Sequence, residues 1–330
     1  MMDRLRSIRW RRWRKPLQAL AVVIVLLFWA QTLASNWQEL ANFSWHVSWP
    51  WLLASLALLV VQMVLLASIW WRALCLMGAP VGWRLGTSLW LKTQIARYVP
   101  GGIWDIAGRL ALGHEAGISV RAMSASIVLE MVLQVLSASI FLLVALLMRA
   151  NAEPTLYVPL AALLLLASVV FLMPPVFRRL INWGLRVLRR EPLDITATYG
   201  DMLVLFGARL VGHLMLGVGF VLFARGVSEI TWQQAPAMIA AYVGAWLIGF
   251  LAVVVPMGIG VREGVLALLL QNQFPFGVIG VMALGYRTWM LVRDLIAALI
   301  GVWLGRGIVP TAAPHAVSSA TGNAPLEGSP

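Results

Sequence analysis

Long apolar runs alternate with short polar ones along most of the chain. Six runs, at 17–35, 51–71, 122–148, 155–173, 199–224 and 278–304, are long enough to cross a hydrocarbon layer of ~30 Å at about 1.5 Å per residue. Two further stretches are broken in the middle by Pro and Gly: 85–98 continues into 103–113, and 235–255 into 261–270. The first limb, 85–98, is too short to cross, so each broken pair predicts a helix that enters, turns and returns. Residues 235–255 have the length to span fully, and that would make the second hairpin unlike the first.

The two breaks are copies of one motif. Residues 99–112 read VPGGIWDIAGRLAL and residues 255–268 read VPMGIGVREGVLAL, with eight of fourteen positions identical. Pro100, Gly101 and Gly102 form the first break, and Pro256, Gly258 and Gly260 the second. Interrupted apolar segments at matching places in two halves are a sequence pointer to a transporter's binding site.

Each half therefore reads span, span, hairpin, span. Three spans is an odd number, so the second half must be inverted relative to the first. The fold predicted is all-α and polytopic, with two inverted repeats, each of three spans plus a re-entrant helical hairpin. The repeats cover 17–149 and 155–305. They are preceded by a basic arm at 1–16 and followed by a small, polar, Pro-bearing tail at 306–330. Loop charges give the orientation. The arm and the segment with Arg178, Arg179, Arg186, Arg189 and Arg190 are rich in arginine, whereas 36–50 holds no Lys or Arg but has Trp37, Trp45 and Trp49. By the positive-inside rule both termini lie in the cytoplasm, and 36–50 is an outer loop with an aromatic belt.

Hydrophobic residues make up 61 % of the chain and charged ones 12 %, so most of it must be buried or face lipid. A net charge of +12 would suggest nucleic acid in a soluble protein, but here the arginines sit in loops between apolar runs and report topology. A single cysteine, Cys75, excludes an internal disulfide. The four scattered histidines show no metal-ligand spacing, and neither a cofactor motif nor a nucleophile with a positioned base appears. Polytopic glycosyltransferases share this composition but need paired acids in an early outer loop, where this chain has only Glu39.

Charges within apolar runs carry the candidate chemistry, since each costs roughly 2.5–3.5 kcal/mol at a helix centre. Arg97, Arg109 and Arg262 flank the breaks, Arg287 lies deep in the last run, and Lys92 precedes the first break. Freed helix N-termini and guanidinium forks suit a phosphate or carboxylate, so these five are the candidate substrate-binding residues. Asp105, Glu130 and Glu263 are candidates for charge balance or proton coupling. The bland alternatives are snorkelling to the interface, or an Asp105–Arg109 pair four residues apart. Asp201, Arg209 and His213 share a helical face and predict an internal polar network. Arg293 and Asp294 predict an interfacial pair.

At VPGGIWDIAGR and VPMGIGVREG, with Glu130 and Arg287 on the runs that follow, the sequence resembles a flippase-like membrane family that includes the membrane region of lysylphosphatidylglycerol synthase. The resemblance covers most of 17–305. It implies an inner-membrane protein that moves lipids or lipid-linked precursors between leaflets, with Pro100, Gly101, Arg109, Glu130, Gly258, Gly260, Arg262, Glu263 and Arg287 at the motif positions. The chain departs from the family at Met131 and Gln134, where an Arg and an Asp are common. Because a short tail follows the last run, aminoacyl transfer is not expected of this chain alone.

The expectation is a bacterial plasma-membrane transporter or flippase for an anionic lipid or a polyprenyl-phosphate-type substrate, held between two hairpins without a metal or cofactor. Membrane lipids are its partners, an envelope-biosynthesis enzyme is a further candidate partner, and nucleic acid is not one. An accessory subunit of an envelope or lipid-modifying enzyme, and a membrane-embedded lipid transferase, stay open as alternatives.

Overall fold

The computed structural model describes residues 37–99, 103–149, 170–187, 189–252, 258 and 260–307, with isolated helical positions at 34, 159, 163, 166 and 167. The basic arm, nearly all of the run at 17–35, most of the run at 155–173, the tail beyond 307, and Pro100, Gly101, Gly102 and Pro256 lie outside the described residues. Among the described residues the fold is helical and holds no strand.

The helices are α1 (Trp37–Asn42), α2 (Trp49–Leu76), α3 (Trp83–Thr93), α4 (Trp104–Glu115) and α5 (Val120–Arg149). They continue with α6 (Pro174–Val187), α7 (Tyr199–Val227), α8 (Ala235–Leu251), α9 (Val261–Leu270) and α10 (Phe276–Leu304). A 3₁₀ turn, Gln94–Tyr98, extends α3, and another, Trp232–Gln234, leads into α8. Among the described residues four elements are long and apolar enough to cross a membrane: Trp49–Leu76, Val120–Met148, Tyr199–Val227 and Trp232–Leu251. At 29 residues α10 matches them in length but carries Arg287, Arg293 and Asp294.

The outer faces of these helices confirm the medium. Val204 and Leu299 are 69 % and 70 % exposed, and Leu53, Val61 and Val302 also point outward. Such an apolar girdle belongs in lipid rather than water.

At the centre, α2 and α7 run antiparallel along their whole length. Small residues let the backbones approach: an added methyl at Gly226 would meet Leu52, at Gly219 Leu59, and at Gly212 Leu66. Two buried polar side chains fix the register. Ser55 donates to the Gly219 carbonyl at 2.7 Å, and the Gln62 amide donates to that of Gly212 at 2.9 Å. At one end Arg72 meets Asp201 at 2.8 Å; at the other, Trp45 bridges to Ser228.

Two further pairs flank this centre. Helix α3 lies against the C-terminal half of α10, where Ser88 donates to the Gly301 carbonyl at 2.8 Å and Gly301 abuts Leu91. Helix α5 lies against α8, with Gly244 on Leu142 and Ala138 clustered with Val243 and Leu247. Each short helix folds back beside its predecessor: Gly108 of α4 faces Thr93, and Gly249 of α8 faces Arg262 of α9. Amphipathic α6 buries Pro174, Phe177 and Ile181 and turns Arg178, Arg179 and Arg186 outward.

Three sequence expectations change. The stretch 36–50 is not a plain loop, since it forms α1 and pairs back on Ser228. Asp201 does not face the bundle interior, because it sits in the first turn of α7. There its carboxylate accepts from the Thr198 amide while the Thr198 hydroxyl accepts from the Asp201 amide, a capping box. Arg293 and Asp294 form a pair but not an interfacial one: they are 4 % and 0 % exposed.

Candidate functional site

Residues flanking the two interruptions, Tyr98 after α3 and Arg262 after α8, both reach α10. At the first, Tyr98 donates its hydroxyl to Asp294 at 2.9 Å. At the second, Arg262 in the first turn of α9 stacks over the Tyr242 ring at 4.5 Å and reaches the Met290 sulfur at 4.0 Å. Positions 290 and 294 are one turn apart, about 6 Å of helix rise. The turn before α9 requires glycine. Gly258 and Gly260 have φ of +62° and +86°, and a side chain on Gly258 would run into the Gly249 carbonyl.

Each half supplies one Arg–carboxylate pair between its short helix and the long helix that follows, with opposite polarity. On α4 and α5, Arg109 donates to Glu130 Oε2 at 2.6 Å, and Trp90 donates its indole N–H to Oε1 at 2.9 Å. The Arg109 guanidinium lies over Trp70 and Trp90 at 4.9 and 5.6 Å. On α9 and α10 the acid comes first. Glu263 Oε1 accepts from Arg287 at 2.9 Å, while Oε2 accepts from the Gly260 amide at 2.7 Å and caps α9. Thus Arg109 pairs across helices, and the local Asp105–Arg109 alternative is not the one formed.

A third group joins the halves. Asp294 accepts from Arg293 at 2.7 Å as well as from Tyr98, and Arg97 stands 3.8 Å away. Arg293 also donates to Gln62 at 3.2 Å, whose amide holds the α7 backbone at Gly212. One turn earlier on α7, Arg209 donates to Gln134 of α5. Beside it, His213 shares a 2.9 Å hydrogen bond with Ser137. Arg109 and Arg209 are 3 % and 4 % exposed, so these charges are buried within the bundle.

Of the sequence candidates, Arg97, Arg109, Arg262, Arg287, Glu130 and Glu263 belong to this connected set. Lys92 does not: its amine lies against Gly305 at the C-terminal end of α10, where a cation complements the helix dipole. Among the described residues Asp105, in the first turn of α4, takes part in no ion pair. Sequence reasoning left out Arg209, Arg293, Asp294, Tyr98, Trp90, Gln62 and Gln134 as site residues. A charge in the interior of a long apolar run was the signal available for Arg209. Among the described residues no group of three or more His, Cys, Asp or Glu side chains is placed to hold a metal.

What such a site can do follows from its charge. Guanidinium groups outnumber carboxylates in a buried setting, an arrangement that favours an anion. No curated protein and no solved structure matches the chain. The sequence profile described as the lysylphosphatidylglycerol synthase TM region matches residues 17–298. The chain is an integral membrane protein and belongs to the lysylphosphatidylglycerol synthase TM region family.

Proposed function

We propose that the protein moves an anionic lipid, or a lipid-linked substrate of the polyprenyl-phosphate type, between the leaflets of a bacterial plasma membrane. The phosphate binds where the two helix breaks meet, held by Arg109, Arg262 and Arg287 with Arg97 at its edge. Glu130 and Glu263 balance the charge while the site is empty. In this reading residues 17–149 and 155–305 are inverted repeats. The limbs 83–115 and 235–270 are hairpins entering from opposite faces, and the arm and the tail lie in the cytoplasm.

One observation carries the proposal: Tyr98 and Arg262, which flank the two breaks, reach α10 within one turn of each other, at Asp294 and Met290. The chain reaches that level from opposite ends of the bundle. Helix α3 begins near the Arg72–Asp201 end of the central pair, and α8 near the Trp45–Ser228 end. The contacts also repeat between the halves. Helix α3 packs on α10 as α8 packs on α5, and each short helix bridges to the next long one through an Arg–Glu pair. A site shared by two oppositely entered breaks can open to either side by rocking one half on the other.

Reconstitution in vesicles containing fluorescent anionic lipids tests this. The native chain should scramble them, and Arg262→Ala should abolish the activity while the protein elutes and melts as a folded species. Unchanged scrambling by folded Arg262→Ala would exclude the proposed site.

A further inference from the structure

Six guanidinium groups gather around the meeting point of the breaks, and only three are matched one to one. Arg109 has Glu130, Arg287 has Glu263 and Arg293 has Asp294. The other three have no carboxylate of their own among the described residues. Arg209 bonds to the neutral amide of Gln134, and its Nε and Nη1 are buried without an acceptor. Arg262 faces an aromatic ring and a thioether. Arg97 stands second at Asp294, 3.8 Å off, behind Arg293 at 2.7 Å.

These three belong to one electrostatic field. Arg97 and Arg293 meet at Asp294, and Arg262 reaches Met290, one turn earlier on the same helix. Gln62 ties Arg293 to the turn of α7 that follows Arg209. The surplus is therefore three positive charges at one level of a lipid-embedded bundle, where unpaired charge is strongly disfavoured. A phosphodiester headgroup brings one negative charge and leaves most of that surplus standing. A phosphomonoester brings about −1.5 to −2 at pH 7, and a diphosphate more.

We infer that the site takes a polyvalent phosphate, a lipid phosphomonoester or diphosphate, in preference to a phosphodiester lipid, and that Arg97, Arg209 and Arg262 supply the matching charge. This rests on the anion-binding reading above and narrows its substrate class. Arg209 is the member that decides it: deep on α7, it has two donor nitrogens still to satisfy. Gln134 is what keeps its charge unspent, since an aspartate there would neutralise it.

The test is calorimetric binding to the full chain in detergent. The probes are dioctanoyl phosphatidylglycerol, dioctanoyl phosphatidic acid, farnesyl diphosphate and inorganic diphosphate. The monoester and diphosphate lipids should bind at least about ten-fold more tightly than the phosphodiester, the difference expected from one added charge-assisted contact. Gln134→Asp, which keeps every arginine and adds a partner for Arg209, should shrink that preference to within about three-fold, and Arg209→Gln should do the same. Equal binding of all three lipids overturns the inference and leaves the anion-binding reading in place, whereas no binding of any of them overturns both. A preference unchanged in folded Gln134→Asp also overturns the inference. Inorganic diphosphate as tight as farnesyl diphosphate supports the polyvalent site with free phosphate as its source, and weaker binding supports it with a lipid.

Discussion

Tyr98 and Asp294 stand 196 positions apart in the chain and are joined by a 2.9 Å hydrogen bond from phenol to carboxylate. Through it the tip of the first break is pinned to a helix of the second half, at a carboxylate that is fully buried. A hydrogen bond to a charged acceptor contributes about 1.5–3 kcal/mol. Tyr98→Phe keeps the ring and removes the donor, so thermal unfolding in detergent should shift to lower temperature. An unchanged transition would show that the bond does not hold the tip.

Glu130 is gripped by Arg109 and Trp90 together. Glu130→Gln leaves the buried guanidinium without its countercharge and should destabilise by roughly 3–5 kcal/mol. Replacing both partners, Arg109→Met with Glu130→Leu, should recover much of that loss, because no charge then remains to desolvate. Lipid movement should be absent in both variants. If the double variant melts no higher than the single one, the pair is not the dominant interaction there.

At Gly301, α10 packs directly against α3. An added Cβ would lie 2.8 Å from that of Leu91 and 2.9 Å from the Lys92 amide nitrogen. Gly301→Ala must push two helices apart and should cost about 1–3 kcal/mol. Gly184, with nothing within 4 Å of an added Cβ, is the control. There alanine should be neutral or stabilise α6 by up to about 1 kcal/mol. Melting should fall for Gly301→Ala and hold level or rise for Gly184→Ala.

Gly258 holds φ at +62° against the Gly249 backbone. Gly258→Ala strains the backbone by about 1–2 kcal/mol and adds a clash with a carbonyl that has little room to move. Helical content by circular dichroism should be retained while anionic-lipid scrambling falls sharply. Wild-type scrambling in this variant would mean that the turn's shape is not needed for activity.

The spans were legible because lipid imposes one rule on every outward position. The runs at 51–71, 122–148 and 199–224 fall inside α2, α5 and α7 for that reason. The Arg109–Glu130 and Glu263–Arg287 pairs were open to reasoning as well, since a buried charge demands a partner and few were on offer. Harder to see was Arg293–Asp294. A charged pair late in an apolar run resembles an interfacial one unless the tip at Tyr98 is known to reach it. Arg209 was expected in an internal network, but its partner was not legible: Gln134 lies 75 positions away, and spacing within a helix names a face but not what faces it. Asp201 shares that face by periodicity, yet first-turn geometry turned it into a cap instead.

Arg209 reaches across to Gln134, and Asp294 serves both Arg97 and Tyr98, so each half draws polar contacts from the other. Neither half made alone could satisfy its own interior. Produced as two separate polypeptides, the pieces should be degraded singly and recovered only when synthesised together in the same cell.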